Sequence, residues 1–119
     1  VNAIHASAIV SDSASIGYGN FLGQGAHLNA FSSVGNNVII QSGSIIDADV
    51  NVHDFVQIGI GVNIASNVTI EEGAFIGSGV TVVSGVTIGK GARIGAGSVV
   101  VADVVKNQTV FGNPAAAVK

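Results

Sequence analysis

Every sixth residue from Ile4 to Val100 is a branched aliphatic: Ile4, Val10, Ile16, Leu22, Leu28, Val34, Ile40, Ile46, Val52, Ile58, Ile64, Ile70, Ile76, Val82, Ile88, Ile94 and Val100. Ile, Leu and Val make up about 30% of the chain, so an unbroken run of seventeen has a chance probability on the order of one in a billion. An α-helix advances about 100° per residue and would scatter a six-residue step over three directions, burying no single face. Two positions before the aliphatics stand smaller residues, among them Ala8, Ala14, Ala26, Ser32, Ser44, Val68, Ala74, Val86, Ala92 and Ser98, which is the period of two of a β-strand. Two positions after them the chain turns polar, at Asp12, Asn36, Ser42, Asp54, Ser66, Glu72, Ser78, Ser84 and Lys90. Glycine directly follows the aliphatic at Gly17, Gly23, Gly35, Gly59, Gly77, Gly89 and Gly95, and is expected to supply the permissive backbone of a tight corner. Each hexapeptide therefore reads as one short strand and one corner.

Such a strand cannot bury its inward residues alone, so successive coils must stack around a continuous core. Three strands per coil close a triangular prism of about 18 residues per coil, and the repeats make five to six coils. The period alone leaves the handedness open. Because it runs without insertion from Ile4 to Val100, no loop projects from the prism and any site must lie on a face or a corner. Residues 18 apart then stack at one inter-strand spacing, about 4.8 Å. This brings together the outward columns Phe21, Ile39, Gln57, Phe75, Arg93; His27, Ile45, Asn63, Thr81, Val99; and Ser33, Asn51, Thr69, Thr87. The first two are more apolar than a washed surface and the third is polar, which points to a cyclic oligomer covering its sticky faces. The same register sets His53 below Glu71, either as a base polarised by a carboxylate or as a solvated ion pair.

Composition narrows the partners. Of 119 residues 48% are hydrophobic and 9% charged, with a net charge of -3, so Lys90, Arg93, Lys106 and Lys119 form no basic stripe for nucleic acid or anionic lipid. No apolar run approaches the roughly 20 residues of a bilayer span, and no signal peptide opens the chain, which reads as soluble and cytoplasmic. There is no cysteine, and His5, His27 and His53 lack metal-ligand spacing, so no metal is expected. An ice-binding solenoid would need two matched threonine columns. Gly35, His53, Glu71 and Gly89 beside the polar column do not supply the second.

The stretch from Ile39 to Pro114 resembles the left-handed β-helix sugar acetyltransferases, the sialic acid O-acetyltransferase and bacillosamine N-acetyltransferase type in particular. The residues that carry this are Ile39-Ile40-Gln41-Ser42-Gly43, Asp47-Ala48-Asp49, Asp54-Phe55-Val56-Gln57-Ile58, Phe75-Ile76-Gly77-Ser78-Gly79, Ile94 to Val100, and Phe111-Gly112-Asn113-Pro114-Ala115. The opening Ile4 to Val10 is also similar to the start of that family's β-helix. The resemblance implies an all-β, left-handed parallel β-helix over 1–105 with a C-terminal tail over 106–119. It also implies a homotrimer, acetyl-CoA as co-substrate between neighbouring prisms, and an amino-sugar or nucleotide-sugar acceptor. The family's N-terminal nucleotide-sugar-binding domain is expected to be absent, and the start at Val1 without methionine fits a processed chain or a fragment.

Carried over by position, the family's catalytic histidine falls on Ala48, and the carboxylate that would polarise it falls on Asp49. A second family histidine, near the thioester, falls on Gln57. Gln41 takes the place of an active-site asparagine, while Ser78 and Ala96 match backbone positions that contact the cofactor. Ala6, Ser84 and Val105 stand where the family often has proline. An alanine takes no proton. The chain therefore reads as an impaired acetyl-CoA-dependent sugar O- or N-acetyltransferase, as an enzyme with its base moved to His53 and acting across a subunit cleft, or as a non-catalytic trimeric scaffold. Carbonic anhydrase relatives need three converging zinc histidines, which His27 and His53 do not reproduce.

Overall fold

The computed structural model describes residues 1–118; Lys119, counted above among the basic side chains, lies outside them. Seventeen two-residue strands, from β1 (Ala3–Ile4) at every sixth position to β17 (Val99–Val100), end in turn on the seventeen aliphatics. A hairpin of β18 (Thr109–Gly112) and β19 (Ala115–Ala117) follows. Strands 18 residues apart pair in parallel, as Phe21 with Ile39 and Ile39 with Gln57, and with β18 and β19 added to the first sheet the three sheets have eight, six and five strands. The sheets are the three faces of a prism 39 × 20 × 20 Å in extent. The first face carries Phe21, Ile39, Gln57, Phe75 and Arg93 outward, the second His27, Ile45, Asn63, Thr81 and Val99, and the third Ser33, Asn51, Thr69 and Thr87. These are the columns that the 18-residue register demands.

Each hexapeptide sends two side chains inward: the aliphatic and the residue four later. Leu22 and Ala26, Ile40 and Ser44, and Ile58 and Val62 are such pairs, and all are buried. Among the described residues the core holds no aromatic side chain. Stacked aliphatics one strand spacing apart fill a narrow prism, where a ring would force the coils apart. Polar groups that enter the core are paired: Ser44 Oγ donates to the Gly59 carbonyl (2.6 Å) and accepts from Val62 N–H (3.1 Å).

The corners are built differently from the expectation drawn from glycine spacing. The left-handed residue is the third after the aliphatic, at Gly25, Phe31, Asn37, Gly43, Asp49, Phe55, Gly61 and onward at every sixth position to Gly97. The residue after it donates back across the corner, as Ala26 N–H does to the Gly23 carbonyl (3.2 Å). A positive φ at the third of four turn residues and not at the second is the pattern of a type II turn. The glycines that directly follow the aliphatic have no positive φ. They answer a demand for space: a Cβ on Gly59 would lie 2.7 Å from Ser78 N, and one on Gly77 2.7 Å from Ala96 N in the coil above.

After Val100 the period slips, since Val104 bridges to Ile88 over an interval of 16 residues instead of 18. Val110 of β18 then stacks on Ile94 of β16 (Arg93–Ile94) and is buried, so the core continues through Val110. Asp103 Oδ1 accepts Thr87 N–H (2.8 Å) at the end of the third face. The antiparallel β19 closes the end of the first sheet. Among the described residues no helix is long and apolar enough to cross a membrane.

Candidate active site

The residues singled out by sequence lie on different corners of the prism. Gln41, Ser78 and Ala96 are on the first corner, between the first and second faces, and Gln57 is on the first-face strand that leads into it. Ala48 and Asp49 are on the second corner, between the second and third faces, and His53 is on the third. A single chain thus gathers Gln41, Gln57, Ser78 and Ala96 along one edge, and leaves Ala48, Asp49 and His53 on the other two edges.

The first corner is a strip of bare backbone. Its left-handed positions in five successive coils are Gly25, Gly43, Gly61, Gly79 and Gly97. A Cβ on Gly43, Gly61 or Gly97 would meet nothing within 4 Å, so no neighbouring side chain covers them. Their N–H groups are tied to the coil below, Gly43 to the Gln24 carbonyl (2.8 Å), Gly61 to Ser42 (3.0 Å) and Gly97 to Ser78 (2.9 Å). The result is a rigid, uncovered edge about 19 Å long, four strand spacings. It suits a long thin ligand lying close against the main chain. Ser78 Oγ accepts Ile60 N–H (3.1 Å) and is thereby fixed on the strip. Where the strip reaches the first coil, an open concavity of about 430 Å³ is lined by Ala3, Ile4, His5, Phe21, Gly23, Gln24 and Ser42.

The second corner is anionic. Its charged side chains are Asp12, Asp47, Asp49 and Asp103, with no cation among them. Asp47 Oδ1 accepts from Asn29 Nδ2 (3.1 Å) and from Ala48 N–H (2.7 Å). These two donors, the amide side chain foremost, hold its carboxyl below the usual carboxylate range against a small opposing effect of burial. Ala48 is therefore set on a corner pinned from one coil below, and its methyl group brings no proton-accepting atom. Asp49 beside it is exposed, in left-handed backbone (φ 59°), with its N–H on the Ala30 carbonyl (3.1 Å). Sequence reasoning gave Asp47 no role; its signal was Asn29, 18 residues earlier.

The third corner does not make the His53 and Glu71 pair. Glu71 Oε1 accepts Lys90 N–H (3.1 Å), and the ion pair formed there is Lys90 Nζ with Glu72 Oε1 (3.5 Å). No group of three His, Asp or Glu side chains converges among the described residues.

Residues 49–84 and 67–102 match the bacterial transferase hexapeptide family of six repeats. No curated protein sequence matches the chain. Among solved structures, GDP-perosamine N-acetyltransferase from Caulobacter crescentus aligns over 100% of the chain at 39% identity and a TM-score of 0.99; that protein was captured as a histidine-to-alanine variant in complex with CoA and GDP-perosamine. The acetyltransferase domain of PglB from Neisseria gonorrhoeae, in complex with acetyl coenzyme A, aligns over 98% at 36% identity and a TM-score of 0.96. WeeI from Acinetobacter baumannii aligns over 97% at 29% identity and a TM-score of 0.94. The chain carries the bacterial transferase hexapeptide repeat and has the β-helix fold of these sugar acetyltransferases. It spans 57% of the length of each of these three relatives. The hexapeptide match also gives the hand of the coils, left-handed, which the strand pairing and the period leave open. This is the rare hand for parallel crossovers, and it is reached here with no helix in the connection.

Proposed function

We propose that the chain is the CoA-binding β-helix of a sugar N-acetyltransferase acting on a nucleotide-linked amino sugar in the cytoplasm, with transfer weakened by Ala48 at the base position. The observation that carries this is the whole-chain likeness, at 39% identity, to an enzyme that holds CoA and GDP-perosamine even as a histidine-to-alanine variant. The bare glycine strip of the first corner fits the pantetheine arm, with the main chain at Ser78 and Ala96 beside it. Gln57 then stands near the thioester and Gln41 on the acceptor side.

Acetyl-CoA supplies the activated acetyl group, whose carbon is joined to the amine nitrogen as the bond to sulfur breaks and the nitrogen gives up a proton. In this reading the strip aligns the thioester, and Asp49 faces it from the second corner of a neighbouring copy. One prism cannot bring those corners together, so a homotrimer with three equivalent clefts is the arrangement proposed. General-base catalysis contributes about 10²- to 10⁴-fold. The methyl group of Ala48 forgoes that factor, and a carboxylate held as far down as Asp47 is a weak base. His53, on the third corner, is the weaker candidate for a substitute.

The second reading is a trimeric scaffold without catalysis, and the observation in its favour is Ala48 itself. Calorimetric titration with CoA, with sedimentation of the free protein, separates the two. Heat of binding and a trimer are expected; a trimer that gives no heat at millimolar CoA would leave only the scaffold.

A further inference from the structure

All six aromatic residues of the chain, Tyr18, Phe21, Phe31, Phe55, Phe75 and Phe111, are exposed. Two of them are also held where a bulky residue is costly: Phe31 and Phe55 have φ of 60° and 62°, whereas every other left-handed position among the described residues is Gly, Asn or Asp. A large side chain in that region is an outlier that needs a reason beyond local folding, and such outliers gather at ligand sites. Phe31 gives nothing to the core, being 68% exposed. Its backbone is fixed all the same, for its N–H donates to Ser13 Oγ (3.1 Å) and the carbonyl before it, of Ala30, accepts Asp49 N–H (3.1 Å). Phe31 therefore lies one coil below Asp49 on the second corner, as Ala30 lies below Ala48.

We infer that Phe31 is a binding platform for the sugar ring of the acceptor, its face against the C–H side of an amino-sugar pyranose. The inference rests on the transfer reading above. A pyranose of a deoxy amino sugar offers C–H groups on one face and a basic nitrogen on its rim. An aromatic face attracts the first, and a corner whose only charges are Asp12, Asp47, Asp49 and Asp103 suits the second. The reacting nitrogen has to sit by Ala48, so the ring that bears it is the part of the acceptor within one coil of that position. The nucleobase is a diphosphate and a ribose further away. The CoA strip runs along a different corner.

The test compares Phe31→Asn, Phe31→Trp and Phe55→Asn with the parent by calorimetric titration of GDP-perosamine, GDP and CoA. Asn suits left-handed backbone, so both Asn variants keep the fold. Phe31→Asn is expected to weaken GDP-perosamine binding about tenfold while leaving GDP and CoA unchanged. Phe31→Trp retains the sugar nucleotide, and Phe55→Asn, equally relieved of strain on another corner, binds it as the parent does. Equal affinity of Phe31→Asn and parent for GDP-perosamine overturns the inference. So does an equal loss for GDP alone, which would mean a base contact, and so does dissociation of the oligomer on sedimentation, which would mean a subunit contact. A parent that binds CoA but no GDP-perosamine overturns it as well, while loss of CoA binding in the parent strikes the transfer reading itself.

Discussion

Gly43 and Gly77 are both corner glycines, and they answer different demands. Gly43 has φ 72° and open space where a Cβ would stand, so Gly43→Ala is expected to cost about 1 kcal/mol, all of it backbone strain. At Gly77 a Cβ would lie 2.7 Å from Ala96 N and 2.9 Å from the Ile94 carbonyl, and neither backbone atom can move without opening the stack. Gly77→Ala should therefore cost about 2–3 kcal/mol by denaturant unfolding; the reverse order would show that the corner roles are misassigned. The sequence alone did not separate these roles, because a glycine letter is the same whether it serves φ or space. Asp47 carries the other residue-scale expectation. Its folded pKa lies below the ordinary value of 3.8, so its contribution to stability is complete above that value and is lost as the pH falls through the lowered folded pKa. Asp47→Asn should lower stability at pH 7, where the ionised carboxylate contributes in full, and flatten the stability profile through that acid range, the two proteins converging at the lowest pH. An unchanged acid limb would remove Asp47 from the account.

At the scale of the element the hexapeptide was legible almost to the residue. All seventeen aliphatics end a strand, because inward burial in a prism this narrow admits one branched aliphatic per strand and leaves no freedom to shift register. Ile64 and Ile70 are fully enclosed, and Ile64→Ala should cost about 2–5 kcal/mol, since the coils above and below cannot collapse into the gap. What the period did not show was the end of the solenoid. Between Val100 and Val104 two residues drop out of the repeat, so a search in steps of six loses the register just where Val104 and Val110 resume inward positions. Those residues cover Ile88 and Ile94. A solenoid depends on such caps, so removing residues 106–118 should lower the melting temperature and expose apolar surface to a dye such as ANS. Unchanged melting would mean that the hairpin only decorates the prism.

For the whole molecule the limit on what sequence could tell is geometric. The 18-residue register places Gln41, Gln57, Ser78 and Ala96 on one edge, and Ala48 with Asp49 on another, and no reading of a single chain can say which edges of two copies meet. The roles of these residues come from likeness to sugar acetyltransferases, whereas the bare strip on the first corner, the carboxylates around Ala48 and the exposed ring of Phe31 come from this structure. Together they carry the proposal of a β-helix that holds CoA and an amino sugar but lacks, at Ala48, the group that takes the proton. The most direct measurement is acetyl transfer from acetyl-CoA to GDP-perosamine by the parent chain and by Ala48→His, side by side. A rate gain of about 10²-fold or more in the variant, with CoA affinity unchanged, is the predicted result. Equal rates in the two proteins, or no transfer by either, would contradict it.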